Sequence, residues 1–368
     1  MIITEFLEKN ARLYGGESAL VEINPSEERD NAVTWRDFNL IENANLDAPY
    51  RREMSWKDFD RRANRFANLL LSRGLQKGTK VAILLMNCLE WLPIYFGILK
   101  AGCIAVPMNF RYSSDEIKYC LDLADVEVLV FGPEFVSRMD SIANDLDFLK
   151  MMFFVGRNAP AYAEDCLRLT GFCSSSAPPV ALTEDDYAAI YFSSGTTGEP
   201  KMILHDYTLP LGHIVTAKYW QQVYDGCRHL TQADSGWAKF AWGKIYGQWI
   251  CGAVNVTYDT QKFKAARMLE IMEKLKLNSF CGPSTIYRYL IQEDLTKYDF
   301  SSIKHCSMAG EPLNPEVFYK WQKYTGLEIR EGFGQTEGSV LFANFPWLDV
   351  KPGSTGKPTP IYDIQLVD

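Results

Sequence analysis

From Lys80 onward, short apolar runs alternate with stretches of helical periodicity, and this narrows the fold more than any other feature. Lys80 to Met86, Cys103 to Val106, Glu127 to Phe131 and Met151 to Val155 read as strands. Between them, Leu89 to Lys100 reads as an apolar helix stopped by Ala101-Gly102. Ser114 to Ala124 reads as a second helix, with Ile117, Cys120, Leu121 and Ala124 on its inner face. Such alternation predicts a mainly parallel sheet with helices on both faces. The pattern resumes downstream, with helices expected over Tyr207 to Trp220, Gln261 to Lys274 and Asn314 to Tyr324. Strands are expected over Asn278 to Cys281, Leu327 to Arg330 and Ile361 to Val367. At 368 residues the chain exceeds one average domain. The expected class is α/β, with two packed α/β layers built on mainly parallel sheets.

The amino-terminal stretch adds a helix from Thr4, as its cap, to Tyr14, then a strand over Ala19 to Ile23. Thr34-Trp-Arg-Asp-Phe38 recurs as Ser55-Trp-Lys-Asp-Phe59, by duplication or by chance. In the second copy Ser55 and Asp58 form a capping pattern, and Phe59, Ala63, Phe66, Ala67 and Leu70 follow at helical spacing. Ala159 to Thr183, rich in Pro, Ser and Ala, reads as a surface connection.

A net charge of −8 argues against nucleic acid or an anionic membrane as the main partner. An anionic ligand would therefore need a local site of backbone dipoles and a few cations. Nine scattered cysteines, without Cys-x-x-Cys pairs, read as reduced thiols of a cytoplasmic protein. Met1-Ile-Ile-Thr-Glu5 lacks the basic start and apolar run of a signal peptide. The apolar stretch Val81 to Val106 is broken by Asn87, Glu90 and Lys100, which argues against a membrane span. The four histidines show no metal-ligand spacing and read as structural or surface residues.

A further apolar run, Ala188 to Phe192, ends in Ser193, Ser194, Gly195, Thr196, Thr197, Gly198, Glu199, Pro200 and Lys201. Gly195 and Gly198 let the backbone turn tightly and aim successive N–H groups into one concavity, which suits a polyphosphate. The hydroxyls add neutral donors and Lys201 a point charge. The spacing lacks the Gly-Lys-Ser/Thr ending of the Walker loop. A plain polar turn after a strand is the other reading of such a cluster.

The string Ser-Ser-Gly-Thr-Thr-Gly-Glu-Pro-Lys resembles the signature loop of AMP-forming acyl- and aryl-CoA synthetases. Three further stretches match that family in order: Leu99-Lys-Ala-Gly102, Met308-Ala-Gly-Glu-Pro-Leu313, and Glu331-Gly-Phe-Gly-Gln-Thr-Glu337, with Phe333 where tyrosine is usual. Lys201-Met-Ile-Leu-His-Asp-Tyr207 and Ala233-Asp-Ser-Gly-Trp237 are similar to the medium-chain acyl-CoA synthetases. The resemblance implies ATP-dependent activation of a carboxylic acid, medium-chain, branched or aromatic, to an acyl-adenylate and then acyl-CoA, releasing AMP and pyrophosphate, with ATP, Mg²⁺ and coenzyme A as partners. It places the β- and γ-phosphates on the loop at Lys201. Adenine lies along Gly310, Glu311 and Pro312 and against Glu331, Gly332, Phe333, Gly334 and Gln335. Thr336 donates to the α-phosphate, and Glu337 serves the metal. Charge neutralisation dominates such a reaction, because two anions must meet.

The acyl pocket is expected among Trp237, Trp242, Gly243 and Tyr246, where aromatics interleave with small residues; aromatics at this spacing also suit a plain core. The resemblance divides the chain into 54–205, 1–53 with 206–340, and 341–368 as the start of a small β-barrel subdomain. Members of the family continue through a ribose-binding Asp, a hinge and a small domain carrying a catalytic lysine, so this chain resembles their large amino-terminal part. An aryl-CoA ligase, an amino-acid-activating relative or a nucleotide-binding pseudoenzyme are the alternatives. The amino-acid reading is weakened because Ala233 to Trp249 carries only Asp234.

Overall fold

The computed structural model describes residues 1–23, 51–193, 200–258, 260, 262–365 and 367. The first copy of the short repeat, Thr34 to Phe38, lies outside the described residues. The chain divides into two compact units. Met1–Thr208, Asp234–Ala238 and Tyr258–Thr260 form the first, and Leu209–Ala233, Lys239–Thr257 and Gln261–Asp368 form the second.

The first unit opens with the helix Ile3–Tyr14 and an antiparallel pair, β1 (Ser18–Ile23) and β2 (Arg51–Ser55). Thr4 is buried inside this helix and does not cap it; the Glu5 carboxylate accepts the Ile2 N–H instead, at 2.8 Å. The strands β3 (Lys80–Leu84), β4 (Ile104–Pro107), β5 (Val128–Phe131), β6 (Met151–Phe154), β7 (Glu164–Asp165), β8 (Tyr187–Ser193) and β9 (Lys201–Asp206) form one sheet. Its order is β7-β6-β5-β3-β4-β8-β9, parallel except for β9. Strands buried on both faces must be apolar throughout, and β4 and β5 are. The connection over Ala159 to Thr183 holds β7 and a short helix, Cys166–Gly171.

Helix ends follow the sequence signals. Ser55 caps the helix Trp56–Ser72 by accepting the Asp58 N–H at 3.1 Å, and Ser113 with Glu116 forms a capping box on Ser114–Leu123. The helix Trp91–Lys100 is buried along its whole length. At its end Lys100, from the Leu-Lys-Ala-Gly stretch, reaches Glu8 at 2.7 Å and Asp60 at 2.8 Å, pinning three helices together. Arg52 of β2 lies between the buried carboxylates of Glu22 and Glu90.

The second unit carries β10 (Arg228–Thr231), β11 (Val254–Tyr258), β12 (Ser279–Gly282), β13 (His305–Ala309), β14 (Ile329–Gly334), β15 (Val340–Ala343) and β16 (Lys357–Pro358). Their order is β16-β15-β14-β13-β12-β10-β11, with β11 to β14 parallel and β15 and β16 antiparallel at one side. The helices Ala265–Lys274, Ser284–Leu290 and Pro315–Thr325 return the chain between strands. Asn314 caps the last of these through the Glu316 N–H, and Gly326 ends it in a left-handed turn.

Two expectations change here. Tyr207 to Trp220 is an α-helix only over Leu209–Ile214 and continues as a π-helical segment, Val215–Trp220. The strand expected over Ile361 to Val367 is absent among the described residues there, whose side chains are largely exposed; β16 forms earlier in the chain. An apolar alternation without a partner to bury it does not make a strand. All four histidines are buried. His229 bonds Ser279 at 3.0 Å and Thr231 at 2.8 Å, and burial pushes its pKa down to about 3, so it is a neutral core residue.

Candidate active site

In the first unit the candidate phosphate loop springs from the carboxyl end of β8, which runs parallel to β4. Open parallel sheets present ligands at this end of their strands. Ser194, Gly195, Thr196, Thr197, Gly198 and Glu199 lie outside the described residues. The residues that flank them are defined by the β8–β9 hairpin, which pairs Ser193 with Lys201. Ser193 and Pro200 are half-buried and Lys201 is exposed. The sequence reading missed β9. Its register brings Lys201 back to the strand end that launches the loop, as a phosphate cradle closed by a cation requires.

The neighbouring strand ends hold a second segment. Ser235 donates its backbone N–H to Asn87 Oδ1 at 2.9 Å and its hydroxyl to the Leu85 carbonyl at 2.7 Å. Arg111 Nε donates to Asp234 Oδ2 at 2.6 Å. Gly236 has φ +92°, and a Cβ there would lie 2.4 Å from the backbone of Met108 and Asn109, so only glycine fits. Trp237 follows directly and stays 57% exposed. Sequence reasoning singled out Trp237 but not the Asn87, Ser235 and Gly236 docking that presents it, because those contacts join residues distant in the chain.

In the second unit, β13 and β14 lie side by side, pairing Met308 with Glu331 and Ala309 with Gly332. Gly310, Glu311 and Pro312 leave the end of β13 and are exposed; Gly310 has φ +100°. Glu311 accepts from the Thr285 backbone N–H at 3.2 Å and from its hydroxyl at 2.7 Å. Gly332 lies beneath the Trp220 ring, at 2.6 Å from a Cβ position. Phe333, Gln335 and Glu337 are exposed, while Gly334 and Thr336 are half-buried. Glu331 is only 5% exposed, burial raises its pKa, and its Oε2 has no hydrogen-bond partner.

Lys239 stands beside these motif residues, and the sequence reading passed over it. Its Nζ donates to the Ala309 carbonyl at 2.5 Å, beside Gly310, and burial lowers its pKa. One signal was available: a lysine inside an apolar, aromatic-rich run.

The expected acyl pocket is rearranged. Trp242 and Gly243 lie in a π-helical turn, Ala241–Ile245, a form often met at functional sites. Trp242 and Tyr246 are buried and flank His213, at ring distances of 5.4 Å and 5.1 Å. Gly243 does not border open space, because a Cβ there would meet Thr231 Oγ1 at 2.2 Å. The far edge of the Trp242 ring lies 2.6 Å from a Cβ position at Gly334. Glycine is thus required by close packing, where the sequence alone suggested room for an acyl chain. Trp237 belongs to the first unit, apart from the other three in the compact division of the chain.

A cavity of about 530 Å³ opens in the first unit among Arg73, Lys77, Glu127 and Lys150. It lies at the amino ends of β3, β5 and β6, opposite the loop, and its cations are paired with Glu164, Asp186 and Glu127. Among the described residues no group of three or more His, Cys, Asp or Glu side chains is placed to hold a metal. No helix among them is long and apolar enough to cross a membrane.

Residues 17–368 match the family model of the AMP-binding enzyme. The chain is 33% identical to mouse acyl-coenzyme A synthetase ACSM3, mitochondrial, over 85% of its own length and 54% of that protein. It is 34% identical to 4-hydroxybutyrate–CoA ligase 1 of Metallosphaera sedula, over 92% of its length and 57% of that protein. It therefore spans about half the length of these relatives. Among solved structures, the anthranilate CoA ligase AuaEII in complex with anthranoyl-AMP superposes with a TM-score of 0.88 at 26% identity, covering all of this chain and 66% of that one. A Brucella canis acyl-CoA synthetase, at 21% identity, shares the fold with a TM-score of 0.85, covering all of this chain and 64% of that one.

The cytoplasmic expectation is overturned, since the mouse and human ACSM3 and human ACSM4 relatives are named as mitochondrial. Scattered cysteines without Cys-x-x-Cys pairs suit any compartment that keeps thiols reduced, so their pattern does not distinguish the two. The match over nearly the whole chain establishes that the chain belongs to the AMP-binding enzyme family.

Proposed function

We propose that the whole protein uses ATP to convert a compact carboxylic acid to an acyl-adenylate and then to its coenzyme A thioester, releasing pyrophosphate and AMP. The observation that carries this reading is the exit of 310–312 and 335–337 from the adjacent strands β13 and β14, with Phe333 at the end of β14 and the half-satisfied carboxylate of Glu331 beside them. Phe333, 43% exposed, offers a ring face to adenine. The free Oε2 of Glu331 is suited to accept from the exocyclic amine, and Gly310 to Pro312 border the base. Thr336 donates its hydroxyl to the α-phosphate, and Lys201 neutralises the β- and γ-phosphates. Glu337 is an exposed single carboxylate, which fits Mg²⁺, an ion that keeps several waters and takes phosphate oxygens, better than an all-protein cage. Coenzyme A would then take the acyl group from the adenylate.

We place Trp242 in the wall of the acid pocket; its close packing against Gly334, with that of Gly243 against Thr231, favours a compact acid over a long chain. Short, branched and aromatic acids fit this limit. The relatives named for 4-hydroxybutyrate and anthranilate support it, since both acids are small.

Acid-dependent pyrophosphate release by the whole protein, over a panel of acids from short to long, tests the reading. Turnover should fall off steeply with chain length, and release that does not depend on any acid would overturn the activity. Glu331→Gln should narrow the preference for ATP over GTP, because the amide no longer offers a charged acceptor. Unchanged discrimination removes Glu331 from the adenine site.

A further inference from the structure

Trp242 is 7% exposed, and its indole N–H is a buried donor with no acceptor. Such a group calls for an explanation, and a ligand that accepts the hydrogen bond is one. The ring's orientation limits which part of a ligand that is. Its benzo edge, Cη2 and Cζ3, is the part pressed on Gly334, two residues before Thr336. The N–H sits on the pyrrole ring at the other end of the indole, away from the motif that takes the α-phosphate. With Trp242 in the wall of the acid pocket and the reacting carboxylate next to that phosphate, the N–H is left to a different part of the acid.

We infer that the acid carries a hydrogen-bond acceptor, a hydroxyl or carbonyl oxygen set apart from the reacting carboxylate, which the Trp242 N–H reads. This rests on the reading above that Trp242 lines the acid pocket. A plain alkanoate would strand the donor in an apolar site, and a site built around a buried donor rejects the analogue that lacks its partner.

The test uses the whole protein and matched pairs of acids, butanoic with 4-hydroxybutanoic and pentanoic with 4-oxopentanoic. The readout is kcat/KM for acid-dependent pyrophosphate release. The wild type should favour the oxygen-bearing member of each pair by about tenfold, the worth of one good hydrogen bond. Trp242→Phe keeps an aromatic ring and removes the donor. It should bring that ratio close to one, mainly by loss on the oxygen-bearing acids, with unfolding temperature monitored as a control on folding. A wild type without the preference, or a Trp242→Phe ratio equal to the wild type's, overturns the inference. An equal loss on every acid also overturns it and moves the N–H to the reacting carboxylate. Trp242→Ala separates this outcome from failure of the pocket itself. If longer acids become substrates, Trp242 lines the pocket whatever the pairs show. If neither variant alters acid selectivity, the pocket reading fails and the inference fails with it.

Discussion

Two sets of buried polar groups, one from each unit, contrast, although Ser18 Oγ and Asn64 Oδ1 of the first unit also lack partners. In the first, buried charges are surrounded by their partners: Arg52 lies between Glu22 and Glu90, and Lys100 between Glu8 and Asp60. In the second, β13, β14 and the π-helical turn bring Glu331, Lys239 and Trp242 inside with less internal satisfaction. One oxygen of Glu331 and the Trp242 N–H lack partners, and Lys239 meets a carbonyl with its amine pKa pulled down by burial. A fully satisfied network rigidifies a scaffold, whereas an unsatisfied group retains capacity for a ligand. The contrast separates buried groups that hold the framework from buried groups with spare capacity to bind.

The largest expected effect breaks the framework. Arg52→Ala leaves Glu22 and Glu90 buried without their guanidinium, and urea unfolding should register a loss of about 3–5 kcal/mol. A loss below about 1 kcal/mol would mean that the charges are relieved by rearrangement and that the scaffold is not held by this network.

Next comes close packing in the second unit. Gly243→Ala drives a methyl into Thr231 and should cost about 1–3 kcal/mol in the same measurement. Thr231→Gly in the same background should restore part of that loss; no restoration would place the strain elsewhere.

A smaller effect sharpens the comparison through pH. Burial alone would raise the Glu90 pKa, but the Arg52 guanidinium outweighs it and holds the group below the usual carboxylate range. Its stabilisation is therefore present above the unfolded pKa and lost as pH falls through the folded one. Glu331 has the opposite sign: burial raises its pKa, so its contribution is greatest in acid and declines as pH rises through the folded value. Glu331→Gln should consequently leave stability at neutral pH unchanged or raise it by about 1 kcal/mol, whereas Glu90→Gln should lower it. Destabilisation by both substitutions, followed by thermal unfolding across pH, would erase the distinction between the two carboxylates.

The smallest stability effect belongs to Lys201→Ala and Glu337→Gln. Both side chains are exposed, so ligand-free unfolding should shift by under about 0.5 kcal/mol. Calorimetry on the whole protein should nonetheless show weaker MgATP binding in each. Unchanged binding in both would remove them from the phosphate and metal roles.

Much of the fold was legible because its signals are local. The apolar runs of β3 to β6, the Ser55 and Ser113 caps and the Asn314–Gly326 boundaries all act within a few residues of themselves. The ordered motifs likewise pointed to the strand ends from which 310–312 and 335–337 emerge. Other features escaped because they depend on partners far away in the chain. β9 becomes a strand by pairing with β8, and among the described residues of 361–367 the side chains stay largely exposed. Gly243 looked like space for a substrate until Thr231 was found against it.

What the sequence by itself determined was the α/β class, the central strands and helices of the first unit and the chemical kind of each motif residue, since periodicity and residue chemistry are written one turn or one strand at a time. Only the tertiary structure decided which glycines are packing contacts, that Lys239 meets Ala309, and that Glu331 and Trp242 enter the interior incompletely paired. Those outcomes depend on what the folded chain brings beside each group. The free energy of a buried polar atom is set by its neighbours, not by its place in the sequence.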